Sequence, residues 1–424
     1  MIGEEGSVSK HAFNMHEDWV SVLLGFLIIA ISILWFVAPV PIFSWSNWEE
    51  LGKRVLGGEN LLRILIQFVY VGAVAAAGIW LTRKPIKSFF SVFPVVFVVA
   101  MVALVIEGSS FIKSLNLEAV IFSLSIGLLI SNLLSLPGWF RTALSTELYV
   151  KIGLVLLGTR IIFTDILESG SLGLVQALVV VLAVWYFAYW VCKRFELDDE
   201  LTMMISSAVS ICGVSAAIAT AGAIKGDSKK LSYVISLVLI IAIPMMIFMP
   251  MIANYFQFSQ EVTGAWLGGS IDTTGAVVAS GSLVGDTALK VSTIVKFSQN
   301  VMLGLAAFVI SIYWTYTGKG DSAAGITKPT LGVIWDRFPK FVLGFVAASL
   351  IFSFALDSRV VDGVQGSLKN IQTVWFVLAF TSIGLETKFS DLFNTNSKRP
   401  LYAFVIAQSF NVLVTLIVAY LLFG

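Results

Sequence analysis

Runs of about 20 apolar residues recur along almost the whole chain, and that is the length an α-helix needs to cross a hydrocarbon core roughly 30 Å thick. Eleven stand out: Trp19 to Ala38, Leu61 to Thr82, Phe89 to Ile106, Leu117 to Leu134, Leu148 to Leu167, Leu172 to Cys192, Leu231 to Ala253, Val291 to Trp314, Phe341 to Leu356, Ile371 to Phe389 and Leu401 to Phe423. Lipid offers no partner to a backbone N–H or C=O, so such runs fold as helices that satisfy their own polar groups. Composition agrees: 12% of the 424 residues are charged, against about 25% in an ordinary soluble domain. The expected class is an all-α integral membrane protein with about 11 spanning helices. Its expected organisation is a polar tail over residues 1–18, an additional N-terminal span over 19–38 and a helical core over 61–424. The first run is too long for a signal peptide and leads into Pro39-Val40-Pro41 rather than a small-residue cleavage site, so it is expected to be retained.

Several function classes lose their chemistry at once. The two cysteines, Cys192 and Cys212, lie in apolar segments and build neither a disulfide framework nor a zinc site. Both histidines, His11 and His16, lie in the tail, so the membrane region lacks the usual general base and the commonest metal ligand. Gly318-Lys319-Gly320-Asp321 fits the G-x-G-D pattern of intramembrane aspartyl proteases, but it sits in a polar loop without a second aspartate at matching depth. An enzyme is not expected, and neither is a metal or a cofactor other than a coupling proton or sodium ion. The net charge of +1, with Lys and Arg confined to short loops, points away from nucleic acid. The expected partners are the lipid bilayer and a small-molecule anion, with a homodimer as the expected assembly.

Two further stretches, Leu201 to Ile224 and Val262 to Val284, are almost long enough to span but are loaded with Gly, Ser and Thr. They read as broken segments. Irregular backbone at membrane depth survives only where protein or a water-filled cavity satisfies it; close helix packing through small residues is the alternative. Counting Lys and Arg near span ends tests the topology. With the N-terminus in the cytoplasm and both broken stretches re-entrant, the inner face collects Arg83, Lys84, Lys87, Arg141, Lys193, Arg194, Lys225, Lys229, Lys230, Lys319, Lys328, Arg337, Lys340, Lys398 and Arg399. The outer face keeps chiefly Lys53, Arg54, Lys113, Lys290, Arg359 and Lys369. Full crossing of the broken stretches would move the lysines around Lys229 outside and weaken this bias.

The chain also matches itself. Gly158 to Ile166 and Gly384 to Leu392 share G-x4-F-[ST]-D-[IL], in which Asp165 and Asp391 are expected to cap the segments that follow. Ser210 to Thr220 lies over Ser270 to Ser280 without a gap. Both pairs are inverted in the topology above, the sign of an inverted-repeat transporter, although their order along the two halves does not fit a simple colinear duplication.

Unwound segments at the midplane expose helix N-termini whose free N–H groups attract anions. Ser210, Gly213, Ser215 and Thr220 in the first stretch, and Thr273, Thr274, Gly275 and Ser280 in the second, are the candidate substrate-binding residues. For each hydroxyl a bond back to its own helix competes with that role. Ionisable residues inside spans are functional by default. Asp272 is the candidate coupling group, with Glu386 as a second, and Lys296 with Gln299 and Asn300 is expected to offset an anionic substrate. A static salt bridge is the alternative for Asp272 and Lys296, and snorkelling to the interface for Arg160, Glu386 and Lys388. Asp272→Asn and Lys296→Ala are each expected to abolish or uncouple flux and leave the protein folded.

Taken together, Cys212-Gly213-Val-Ser215-Ala-Ala-Ile-Ala-Thr220 with Lys225, then Gly269-Ser-Ile-Asp272-Thr-Thr-Gly275-Ala-Val-Val278-Ala-Ser-Gly281 with Thr293-Ile-Val-Lys296, resemble the YeiH-type family of sulfate exporters. Gly127-Leu-Leu-Ile-Ser-Asn132 and Gly153-Leu-Val-Leu-Leu-Gly158-Thr-Arg160 extend the resemblance, which covers residues 60–424. It implies a bacterial inner-membrane transporter of small inorganic or sulfonated anions, with a fold related to the bile-acid-symporter and cation/proton-antiporter architectures. Where many relatives carry His-Glu in the second stretch this chain has Asp272-Thr273, which leaves the coupling ion and the substrate open. A cation/proton antiporter using Asp272 is the second reading and a membrane protein that transports nothing the third.

Overall fold

The computed structural model describes residues 16–114, 118–316, 332–388 and 398–424. His11, Lys319, Lys328, the Gly318-to-Asp321 tetrapeptide and the Phe389-Ser390-Asp391 end of the second signature lie outside the described residues. Fifteen helices of ten residues or more are described, numbered in chain order. The first six are α1 (Glu17–Leu34), α2 (Gly58–Leu81), α3 (Ile86–Glu107), α4 (Ala119–Leu133), α5 (Thr146–Gly158) and α6 (Phe163–Arg194). Next come α7 (Asp199–Ser210), α8 (Val214–Ile224), α9 (Ser228–Tyr255), α10 (Gln260–Ser270) and α11 (Thr274–Val284). The chain closes with α12 (Asp286–Tyr316), α13 (Lys340–Leu350), α14 (Ser358–Glu386) and α15 (Arg399–Phe423).

Each of the eleven apolar runs contains a helix, but among the described residues eight helices are long and apolar enough to cross a membrane unaided. The expected spans at α4, α5 and α13 are shorter, with 15 and 13 residues in the first two, and α13 continuing as a π-helix to Ala355. The run read as Leu148 to Leu167 breaks after Gly158, and a 32-residue helix restarts at Phe163. Close packing surrounds that break. A Cβ on Gly158 would stand 2.3 Å from the Phe345 carbonyl oxygen, so the two backbones touch. The polar groups freed by the turn find partners next door: the Ser349 hydroxyl donates to the Ile161 carbonyl, and the Phe163 N–H donates to Ser353 Oγ at 3.1 Å. Asp165 does not cap α6; it sits inside the first turn and pairs with Lys290 at 2.9 Å.

The leading span is no appendage. Val20, Leu24 and Ile28 on α1 are at most 1% exposed, and Gly25 fits against Val155 so closely that a Cβ would lie 2.5 Å from its Cγ1. Asp18 and Glu17 at its start hold Lys151 of α5 at 3.0 and 3.3 Å, and Glu17 also takes Lys84 at 2.7 Å. The Gly127-to-Asn132 motif is explained by packing too. A Cβ on Gly384 would meet the Leu124 carbonyl oxygen at 2.5 Å and Gly127 Cα at 2.9 Å, so α4 and α14 cross glycine on glycine. One turn on, Ser131 and Asn132 both donate to the Thr387 carbonyl. Gly384→Val is therefore expected to cost about 1–3 kcal/mol through overpacking, read as a lower midpoint of thermal unfolding in detergent.

Ion pairs between helices sort into two sets at opposite ends of the bundle. One end holds the Glu17 and Asp18 cluster together with Lys230 to Asp198 and Arg399 to Glu196. The other holds Arg160 to Asp286, Lys369 to Asp286 and Lys290 to Asp165. Lys84, Lys230 and Arg399 at the first end and Lys290 and Lys369 at the second divide as the charge count divides them.

Candidate functional site

Both broken stretches are hairpins that return to the end they came from. In the first, α7 runs inward, the chain turns at Ile211–Gly213, and α8 runs back, closed by Lys225 in a left-handed conformation at φ +51°. The two ends meet at the base: the Asp227 N–H donates to Glu200 at 3.1 Å, and Lys230 bonds Asp198 at 2.9 Å. In the second, α10 and α11 flank a break at 271–273, and Gly285 at the end of α11 adopts φ +150° against the Gln260 side chain that starts α10. Between the two bases runs α9, whose 28 residues make a rod of roughly 42 Å. The hairpins therefore enter from opposite faces.

They meet tip to tip. Gly213 adopts φ +57° and ψ −109°, and a Cβ there would lie 2.9 Å from Asp272 Cβ and 2.6 Å from Val238 Cγ1. Glycine is needed for the angle and for the contact alike.

Each hairpin ends its first helix at depth, leaving carbonyl groups that lipid cannot satisfy. Polar stripes on α12 and α15 supply the donors. The Lys296 ammonium, 1% exposed, donates to the Ile211 carbonyl at 2.9 Å, the Ile271 carbonyl at 2.8 Å and Gln299 Oε1 at 2.8 Å. Gln299 Nε2 donates to the carbonyls of Ser210 and Gly269, and Asn411 Nδ2 to those of Val209 and Ser270. Gln408 adds a 2.7 Å bond to the Ser270 carbonyl. Ile211 and Ile271, matched by the gapless overlay of the two stretches, thus share one cation. Gln299 and Asn411 serve the flanking carbonyls in mirrored order.

An ammonium has three N–H donors and all three of Lys296 are engaged. Its expected contact with substrate is corrected accordingly: Lys296 ties the two hairpins together. The alternative of a static salt bridge is not what the geometry gives either, because its partners are two carbonyls and an amide. Asp272 is 2% exposed, and its Oδ2 has no hydrogen-bond partner. The sequence reading missed Gln408, Asn411 and Thr415, although their spacing of three and four residues inside an apolar span was the available signal.

A cavity of about 470 Å³ descends to the tips from the end that carries Glu17, Lys84, Glu147, Lys151, Glu386 and Lys388. Its deep part is formed by Cys212, Val214 and Ser215 of the first hairpin and by Thr273, Thr274, Gly275 and Ala276 of the second. These are the opening residues of α8 and α11, where N–H groups precede the first intrahelical bond. Thr273 caps the Ala276 N–H at 3.3 Å, and the first turn of α11 closes with Val277 N–H to the Thr273 carbonyl.

Of the predicted substrate residues, Ser215, Thr273, Thr274 and Gly275 line this cavity, and Gly213 forms the turn beside it. Ser210, Thr220, Ser280 and Asn300 lie behind the lining, so their direct contact with a ligand in this conformation is corrected. Ser210 donates to the Ser206 carbonyl at 2.7 Å and Ser280 to that of Val277 at 3.0 Å, the local back-bonds that compete for such hydroxyls. Asn300 reaches the Thr274 hydroxyl at 3.4 Å from α12. Glu386 is at the mouth, exposed and accepting from Thr146 Oγ1 at 2.6 Å, and is not brought to Asp272. In a Cys212→Ser background, Ser215→Cys and Thr274→Cys are expected to react with a charged maleimide added at the cavity end at least tenfold faster than Ser280→Cys. Equal rates at the three positions would place the aqueous path elsewhere.

A family model described as conserved hypothetical protein 698 matches residues 92–403. A UPF0324 membrane protein of Rhodopirellula baltica is 41% identical over 372 residues, covering 85% of this chain and 68% of the relative. One of Nitratidesulfovibrio vulgaris is 37% identical over 372 residues, with 84% of this chain and 63% of the relative covered, so the match spans less than two thirds of that protein. One of Nitrosomonas europaea is 27% identical over 455 residues, with 92% of both chains covered. No solved structure matches the chain. These names state no substrate. The chain belongs to the conserved hypothetical protein 698 family, whose matched relatives are the UPF0324 membrane proteins.

Proposed function

We propose that the protein is a secondary active transporter of small anions, sulfate-like or sulfonate-like, that works by alternating access in the bacterial inner membrane with its N-terminus in the cytoplasm. The observation that carries this reading is the pair of opposed hairpins meeting at the floor of a cavity whose lining reaches the Glu17, Lys84 and Lys151 end of the bundle. Interrupted helices at the midplane are how transporters present helix N-termini to a substrate and rock one bundle against another around it. Val214, Ser215, Thr274 and Gly275 supply those N-termini here, and the engaged Lys296 offsets the negative ends of α7 and α10. Under the charge count the open end is cytoplasmic, so the conformation is inward-facing.

Asp272 is the coupling group in this reading, carrying a proton or sodium ion, with Glu386 as a second carboxylate at the mouth. Uptake of labelled sulfate and short sulfonates into proteoliposomes, under an imposed proton or sodium gradient, tests the proposal. Flux that follows one gradient supports it. A cation/proton antiporter is the second reading, favoured by the buried and unpartnered Asp272 Oδ2. Sodium or proton exchange that ignores added anions would select it.

A further inference from the structure

We infer that the cavity is shaped for an anion with an apolar body, such as an alkyl or aryl sulfonate or carboxylate, and not for a bare tetrahedral oxyanion. This rests on the anion-transport reading and narrows it.

Size argues first. The cavity of about 470 Å³ holds the volume of about fifteen waters, whereas a bare oxyanion takes up roughly two or three, ~60–90 Å³. An ion that small would occupy only the floor, leaving the space between floor and mouth to water or to the body of a larger ligand.

The distribution of polarity argues second. Hydroxyls and helix N-termini crowd the floor, while the space above has an aliphatic side on α9, interrupted by Ser236, and faces the hydroxyls of Ser145, Thr146 and Thr387 nearer the mouth. Leu239, Ile240 and Ile243 line it at a spacing of one, three and four residues, so they form one face of α9, on which Leu239 is 45% exposed and offers the accessible surface while Ile240 and Ile243 are buried behind it. Ile218 stands one turn along α8 from the floor residue Ser215, and Leu144 and Ile383 close the other sides. Ile218 is 43% exposed although it lies beside the floor, so apolar surface is left facing the space. A ligand that puts its charged head against Ser215, Thr274 and Gly275 lays its body along this wall.

The charge at the mouth attracts anions as a class and does not rank them by their apolar bodies: Lys84 and Lys151 are paired with Glu17 and Asp18, and Lys388 stands beside them. Discrimination between anions is left to the polar floor and the apolar wall, and burial of each added methylene contributes about 0.8 kcal/mol.

The test uses the full chain in proteoliposomes, with inhibition of labelled butanesulfonate uptake by unlabelled sulfate and by ethane-, butane- and hexanesulfonate. Apparent affinity is expected to rise by about fourfold per methylene along the series, with sulfate at least 100-fold weaker than hexanesulfonate. Hexylammonium is the control for partition into lipid and is expected not to compete. Ile218→Thr and Leu239→Thr are expected to compress the difference between ethane- and hexanesulfonate by about tenfold; if either fails to fold, the wild-type series alone decides. A flat series, sulfate equal to hexanesulfonate, or equal competition by hexylammonium overturns the inference and leaves anion transport standing. If sulfate and all three sulfonates fail to move or compete, both the inference and the transport reading fall.

Discussion

Lys296→Ala is expected to lower the stability of the purified protein by about 3–5 kcal/mol, since each buried acceptor left without its donor costs about 1–3 kcal/mol and three are left here, partly relaxed. The carbonyls of Ile211 and Ile271 would lose their ammonium donor, and the amide oxygen of Gln299 would lose it with them. No water from the lipid side can replace it, because Lys296 is 1% exposed. Thermal unfolding in detergent should show a midpoint lowered by several degrees, accompanied by loss of flux. This departs from the expectation drawn from sequence, that the variant stays fully folded and loses only transport. A variant that melts with the wild type would show that the hairpin tips hold together without the tie.

Asp272→Asn is expected to do the opposite, reducing gradient-driven flux by at least tenfold while leaving the melting midpoint little changed. The amide keeps the shape of the side chain but removes an ionisable group buried at 2% exposure with one oxygen unpartnered. Holding a carboxylate at that depth is costly, and the neighbouring Lys296 ammonium and Gln408 amide offset part of that cost, so the amide leaves stability little changed as it removes the coupling site. Initial uptake rates with and without an imposed gradient separate the two effects. Wild-type rates with the same gradient dependence would end the assignment of Asp272 as coupling group.

These two residues also show how far sequence reasoning reaches. Asp272 and Lys296 are conspicuous because ionisable groups are rare inside apolar runs, and that rarity needs no structure to see. Their roles diverge through three-dimensional neighbours alone. Lys296 lies 85 residues from Ile211 and 25 from Ile271 along the chain, and nothing local records that both carbonyls converge on its ammonium. Gln408 and Asn411 escaped notice for a related reason: an amide in a span is unremarkable until the carbonyls facing it are known. The hairpin tips were more legible. A gapless overlay of Ser210 to Thr220 on Ser270 to Ser280 placed Ile211 opposite Ile271, and the pair turns out to share a donor.

What the sequence by itself determined is the solvent of this protein and the location of its irregular backbone. Apolar run length and small-residue content are local properties, and lipid penalises every unpaired backbone group, so helices and breaks fall where those properties change. Tertiary structure decided the rest: that α1 belongs to the core, that α5 stops at Gly158 where it meets Phe345, that the hairpins touch at Gly213 and Asp272, and that a cavity reaches them from one end. Those outcomes depend on which helix faces meet, and that is set by close packing and donor–acceptor matching between segments far apart in the chain, which no single stretch of residues encodes.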